Sequence, residues 1–184
     1  MNNKLCGIDE AGRGPFAGPM VVVGVILKND IKELDDSKKL TEKKREKLFD
    51  IIKENSFYHI VFTDNNSIDK LGLSQCLKNS IEEIMEHLDT DDFLMDGNTT
   101  FGIADLKCLI KADATIKEVS AASILAKVSR DRFMVEISQK YPNYSFEKHK
   151  GYGTKAHIDA IIEHGYCDIH RKSFKIKRLE ELKK

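Results

Sequence analysis

CGIDEAGRGPFAGPMVVVGVIL, residues 6–27, decides how the rest of the chain is read. An apolar run ends in the adjacent acids Asp9 and Glu10, a Gly12-Arg13-Gly14 turn follows, and the chain returns into PMVVVGVIL. β-Branched residues entered through a proline favour extended backbone, so the segment reads as two strands, 4–10 and 19–27, joined by a turn. Gly12, Gly14, Pro15, Gly18 and Pro19 break that turn too often for it to open a helix. This argues against a dinucleotide-binding fingerprint, whose Gly-rich loop must lead into the helix N-terminus that receives the pyrophosphate.

Beyond this segment the period becomes helical. Thr41 is placed to cap a helix that buries Leu48, Ile51 and Ile52. FYHIVFT, 57–63, is a third strand, and three consecutive strands suit an antiparallel meander. A short helical turn over 67–72 precedes a helix over 73–88, whose Leu73, Leu77, Ile81, Ile84, Met85 and Leu88 keep helical spacing. Strands are expected over 92–96 and 106–110, then a long helix over 117–140 that faces Ala122, Leu125, Ala126, Phe133 and Ile137 inward. From Tyr141 to Lys155 the chain reads as loop-rich. A helix then runs to about His164, and a charged tail is expected to finish in a short helix. Three strands followed by alternating helices and strands make an α/β fold with a mixed five-stranded sheet flanked by helices and a helical C-terminal region.

Composition bounds the class. At 184 residues, 41% of them hydrophobic, the chain can bury a core and fits a single domain, 1–184. No apolar run approaches the roughly 20 residues a membrane span needs, and no basic-then-apolar leader is visible, so neither membrane insertion nor export is expected. Cys6, Cys76, Cys108 and Cys167 are scattered without a C-x-x-C pair, which argues against structural zinc and a disulfide framework and for a reducing, cytoplasmic setting. Net charge is zero but unevenly spread: residues 1–126 carry 16 Lys and Arg against 22 Asp and Glu, residues 127–184 carry 14 against 8. That separation suits a polyanion path along a basic extension, about 141–184, with acids gathered where metal sits.

The acids supply the chemistry. Asp9 and Glu10 end the first strand, Asp96 ends the fourth, and Asp113 lies just beyond the fifth. If these strands are neighbours and run the same way, four carboxylates converge where open α/β sheets bind ligands. Like charges that close resist joint ionisation unless cations neutralise them, and hard divalent ions take oxygen ligands. Two such ions roughly 3.5–4 Å apart would clamp a phosphodiester for in-line attack by water. One geometric objection stands: consecutive strand side chains point to opposite faces, so Asp9 and Glu10 cannot both aim inward unless the strand ends or bulges at Glu10. His149, His157, His164 and His170 lack the H-E-x-x-H spacing of a zinc site, and no G-x-S-x-G nucleophile elbow occurs.

GIDEAGRGPFAGPMVV, DSKKL at 36–40, LMDGN at 94–98, KADATIKEVSAASILAKVSRD at 111–131, HKGYGTKAH at 149–157 and HRKSF at 170–174 closely resemble bacterial ribonuclease HII, the type 2 ribonuclease H family. The blocks occur in family order and span nearly the whole chain. The resemblance implies an RNase H-like fold and an endonuclease that cuts RNA/DNA hybrids and ribonucleotide-containing duplex DNA with Mg²⁺ or Mn²⁺, leaving 3′-hydroxyl and 5′-phosphate ends. It implies that Asp9, Glu10, Asp96 and Asp113 hold the metals and that Gly12, Arg13 and Gly14 sense the 2′-hydroxyl at the RNA-to-DNA junction. It also implies that Tyr152 packs on the deoxyribose beyond the junction and that Lys38 and Lys39 touch phosphate. Ser120, Ser123 and Lys127, on the first turns of the long helix, are read as phosphate contacts or supports of the active-site helix. Related alternatives are the sister ribonuclease HIII, which usually carries an extra N-terminal domain and lacks the Gly-Arg-Gly and tyrosine pattern, and a non-catalytic hybrid-binding module. A monomer is expected, and the tail shows no Gln-x-x-Leu-x-x-aromatic-aromatic sliding-clamp motif.

Overall fold

The computed structural model describes residues 4–34, 40–176 and 178. Lys38 and Lys39, and most of the tail expected to be helical, lie outside the described residues.

Five strands form the sheet: β1 Cys6–Ala11, β2 Met20–Leu27, β3 Ser56–Thr63, β4 Phe93–Asp96 and β5 Leu106–Leu109. Their order is β3-β2-β1-β4-β5. The first three make the antiparallel meander, and β4 and β5 add to β1 in parallel, so the sheet is mixed. MVVVGVIL is buried along almost its whole length because β2 is covered on both sides. Met20, Val22 and Ile26 join Cys6 and Ile8 under α3 (Leu73–His87), while Val21, Val23 and Val25 pack against α1 (Glu42–Glu54) and α4 (Lys117–Ser138).

Caps explain where the helices start. The Thr41 hydroxyl accepts from the Lys44 N–H at the head of α1. The short helix expected from residue 67 begins earlier, as α2 Asn65–Leu71, because the Asp64 carboxylate accepts from the Ser67 N–H at 2.7 Å. The stretch after Tyr141 holds a one-turn helix, α5 Phe146–His149, and α6 Lys155–His164 follows, capped by Thr154. α5 and α6 enclose a third core of Ala17, Met134, Tyr144, Phe146, Ile161 and Ile176. Through Ala17 that core reaches the Gly-rich segment. The four cysteines are free thiols, and among the described residues no helix is long and apolar enough to cross a membrane.

Gly7 sets the distance between β1 and α4. A Cβ there would sit 2.2 Å from the Val119 nitrogen and 2.3 Å from the Glu118 carbonyl carbon. With hydrogen at that position, the backbone of α4 lies directly on the strand that carries Asp9.

Candidate active site

Strand parity and register bring the acids together. Ile8 pairs with Met95 in parallel β1 and β4, so one residue further along each strand Asp9 and Asp96 lie side by side on the α4 face. After β5 the chain takes a left-handed residue, Lys111 (φ 61°), and enters a single 3₁₀ turn, Ala112–Ala114, that carries Asp113. Asp96 Oδ1 accepts the Ala112 N–H at 2.8 Å and so fixes this turn against the end of β4. One carboxylate oxygen from each of Asp9, Asp96 and Asp113 lies within 4.8 Å of the others.

Glu10 lies outside that 4.8 Å cluster, although its charge acts on Asp9 and that of Asp96 acts on it. The pairing of β1 with β2 is unbroken through Ala11 and Val21, so the strand neither ends nor bulges at Glu10, and its side chain leaves on the opposite face. Arg13 Nη1 donates to Glu10 Oε1 at 3.1 Å. The other oxygen, Oε2, is buried without a hydrogen-bond partner among the described residues.

Asp9 is 6% exposed. It accepts the Glu10 N–H at 2.8 Å and a hydrogen bond from the Ser123 hydroxyl, yet burial first and Glu10 second push its carboxyl up to about 8. Burial also raises Glu10, against the lowering influence of Arg13. An all-oxygen, acid-rich donor set with a buried unpartnered carboxylate oxygen and a strained charge balance fits a hard divalent cation.

The other residues singled out in the sequence fall at different depths. Ser123 reaches Asp9. Ser120 is buried and donates to the Leu34 carbonyl at 3.0 Å, so it is not presented to a phosphate; it ties α4 to the loop ahead of residues 35–39. Lys127 pairs with Asp131 at 2.9 Å and sits 5.7 Å from the centre of the Tyr152 ring. Tyr152 is 42% exposed, and the Arg130 guanidinium approaches the same ring at 5.6 Å.

Two residues that sequence reasoning missed organise the loop between β1 and β2. Arg130 and Arg171 are fully buried, yet among the described residues no acid meets their guanidinium nitrogens. Arg130 donates to the carbonyls of Pro19, Ala17 and Lys150, and Arg171 to those of Gly18, Arg13 and Gly12. Burial, and then Arg130, push Arg171 down to about 9, so it stays charged at neutral pH. Arg130 left a trace in the sequence, since it follows Ala122 and Ala126 at four-residue steps in the inward stripe of α4. For Arg171 no spacing signal exists.

Beneath Tyr152 lies a chain of buried imidazoles. His157 Nδ1 contacts the Tyr152 carbonyl at 2.9 Å, His157 Nε2 faces His170 Nε2 at 3.1 Å, and His170 Nδ1 receives the Cys167 N–H at 2.9 Å. A carbonyl only accepts and an N–H only donates, so His157 carries its proton on Nδ1 and His170 on Nε2, both rings neutral. Burial pushes each down to about 4 from an ordinary value near 6.5. Because the folded state binds fewer protons than the unfolded chain between these values, the network's stabilisation is complete above about pH 6.5 and is lost as pH falls towards 4. The slope is up to about 1.4 kcal/mol per pH unit for each histidine. His157→Gln is expected to flatten the fall in urea midpoint between pH 7 and pH 5; an unchanged slope would rule His157 out as a source.

Comparison with known proteins points to one family. The ribonuclease HII family profile matches residues 6–177. Ribonuclease HII of Aliarcobacter butzleri is 68% identical over 180 residues, covering 97% of this chain and 94% of that protein. Ribonuclease HII of a Sulfurovum species is 55% identical over 177 residues, covering 96% and 94%. The crystal structure of ribonuclease H2 from Pyrococcus horikoshii superposes with a TM-score of 0.81 at 27% identity, covering 98% of both chains. A mixed sheet in this order, an acidic triad at the ends of β1 and β4 and beyond β5, and these matches over nearly its whole length place the chain in the ribonuclease HII family.

Proposed function

We propose that this ribonuclease H-type enzyme hydrolyses the phosphodiester 5′ to a ribonucleotide, both in RNA/DNA hybrids and at single ribonucleotides embedded in duplex DNA. The observation that carries this reading is the convergence of Asp9, Asp96 and Asp113 within 4.8 Å, on the face of β1 that α4 covers. Those three, with Glu10, are the groups assigned to hold Mg²⁺ or Mn²⁺, and divalent ions there would activate the attacking water and neutralise charge on the phosphate. Water adds to phosphorus, the bond from phosphorus to the upstream 3′ oxygen breaks, and that oxygen takes a proton, giving 3′-hydroxyl and 5′-phosphate ends.

The chain's own residues do the placing. The Ser123 hydroxyl and the Glu10 N–H fix the Asp9 carboxylate, and Arg13, pinned to Glu10, carries positive charge from the recognition turn to the edge of the metal site. Gly12, Arg13 and Gly14 are assigned to the ribose, since backbone stripped of side chains can approach a sugar closely and a 2′-hydroxyl both donates and accepts. Tyr152, half-exposed on the neighbouring loop, is assigned to the deoxyribose beyond the junction, with Lys127 beside its ring. Lys38 and Lys39 are assigned to phosphate. The whole chain is read as one catalytic domain acting as a cytoplasmic monomer, with the basic region from about residue 141 lying along the duplex.

The deciding experiment maps the cut in a duplex with a single ribonucleotide, with Mg²⁺, with Mn²⁺ and with chelator. Cutting on the 5′ side of the ribonucleotide that depends on the ion is expected; binding without cutting under both ions would make the chain a hybrid-binding module instead. Tyr152→Ala is expected to keep the fold and to lower the preference for the RNA-to-DNA junction over continuous RNA by about tenfold or more, the value of one ring contact. An unchanged preference would remove Tyr152 from recognition.

A further inference from the structure

Arg171 lies 1% exposed beneath the Gly12-Arg13-Gly14 turn and is therefore out of reach of any substrate. Its three donor nitrogens are spread over the loop: Nη2 to the Gly12 carbonyl at 2.6 Å, Nη1 to Arg13 at 3.1 Å and Nε to Gly18 at 3.0 Å. The Arg171 backbone N–H donates to the Phe16 carbonyl at 2.8 Å, and the Gly18 N–H donates to Ile169 at 2.9 Å, so the segment around Arg171 is itself stitched to the loop it holds.

The direction of those carbonyls has a consequence on the other side of the loop. In a planar trans peptide the C=O of one residue and the N–H of the next point opposite ways. With the carbonyls of Gly12 and Arg13 drawn down onto Arg171, the N–H groups of Arg13 and Gly14 point away from it. Among the described residues neither N–H meets an acceptor. Two successive outward N–H groups over a buried cation form a concavity suited to a phosphate or sugar oxygen.

We propose that Arg171 is a positioning residue for substrate recognition: by gripping the Gly12 and Arg13 carbonyls it holds the turn with the Arg13 and Gly14 N–H groups presented to the ribonucleotide. This rests on the function proposed above, in which the turn meets the ribose. The planar guanidinium fork suits the task because one rigid group reaches three carbonyls at both ends of the loop, whereas a lysine ammonium is a single point on a flexible stem. Charge alone would not reproduce it.

The test uses Arg171→Lys, which keeps the charge and removes the fork, with Gly14→Ala as its partner. A Cβ at Gly14 meets nothing within 4 Å among the described residues, so that substitution is expected to act on what approaches from outside. Arg171→Lys is expected to lower kcat/KM on a duplex with one ribonucleotide by about 100-fold, the scale of a misplaced binding group. Mn²⁺ affinity of the nucleic-acid-free protein, read by electron paramagnetic resonance, is expected to stay within about twofold because the carboxylates are untouched. Gly14→Ala is expected to weaken cutting in the wild-type background and to add little in the Arg171→Lys background, since both act on one turn. Fully additive losses, or a folded Arg171→Lys protein that cuts at the wild-type rate, overturn the proposal.

Should Arg171→Lys fail to fold, amide hydrogen exchange on the wild-type protein decides. The Arg13 and Gly14 amides are expected to exchange freely in the isolated protein and to slow when the ribonucleotide duplex is added in chelator. Protection already present in the isolated protein would overturn the proposed presentation, and so would no slowing on adding the duplex. A wild-type protein that does not cut the ribonucleotide duplex with either ion sinks the proposed function, while one that cuts as well with Arg171→Lys sinks only the role of Arg171.

Discussion

Asp9→Asn is expected to give a more stable protein that no longer cuts. Asp9 is the centre of the acidic site: its oxygens lie within reach of Asp96 and Asp113, and Ser123 and the Glu10 N–H fix its orientation. An amide in its place has lost one charge and one of two acceptor oxygens, so cation affinity falls. Cutting of a duplex with one ribonucleotide should drop by about a thousandfold, the few kcal/mol that charge neutralisation supplies in such sites. Stability moves the other way. With its carboxyl pushed up to about 8, Asp9 binds a proton in the folded state that the unfolded chain has released, so without cations the fold weakens as pH rises from about 4 to about 8. Asp9→Asn removes that dependence, and in chelator at pH 7 its melting temperature should exceed that of the wild type. Near wild-type cutting would show that the central carboxylate is misassigned; a lower melting temperature in chelator would show that the buried charge is already compensated within the protein.

Gly7→Ala is expected to be severely damaging for a change of a single methyl group. The added carbon would meet backbone atoms of Glu118 and Val119 at 2.2–2.3 Å, and backbone cannot rotate aside as a flexible side chain can. Either α4 lifts away from β1 or the strand shifts, and both separate Ser123 from Asp9. A loss of about 3 kcal/mol or more is expected, at the upper end for overpacking in a close-packed core. Thermal melting and cutting should fall together. If the protein melts within a few degrees of the wild type, α4 has adjusted at little cost, and the remaining activity then reports how closely Ser123 must approach Asp9.

Much of this was legible along the chain because its carriers are local. Continuous apolar runs, β-branched in β2, mark the first strands, and Thr41 marks the start of α1 as its hydroxyl does in the fold. Boundaries failed where a cap competed with a weak period. Asp64 starts α2 two residues before its expected first residue, and α5 forms in a stretch with too few turns to show a helical stripe. The helical period over Leu73 to Leu88 matches α3 to within a residue because six apolar positions repeat there.

The sequence by itself determined the family, through motif blocks in order over nearly the whole chain, the strands and main helices, and the acids at strand ends. It also posed the conflict between Asp9 and Glu10. Only the tertiary structure decided that conflict, because whether a strand bulges depends on its partners: β2 pairs through Ala11, so Asp9 joins Asp96 and Asp113 while Glu10 turns to Arg13. The buried arginines belong to the tertiary structure in the same way. Arg171 meets the Gly12 carbonyl across 159 residues of sequence and Arg130 meets that of Pro19 across 111. Contacts between a side chain and distant backbone carbonyls leave no period to read, since every residue type offers the same carbonyl.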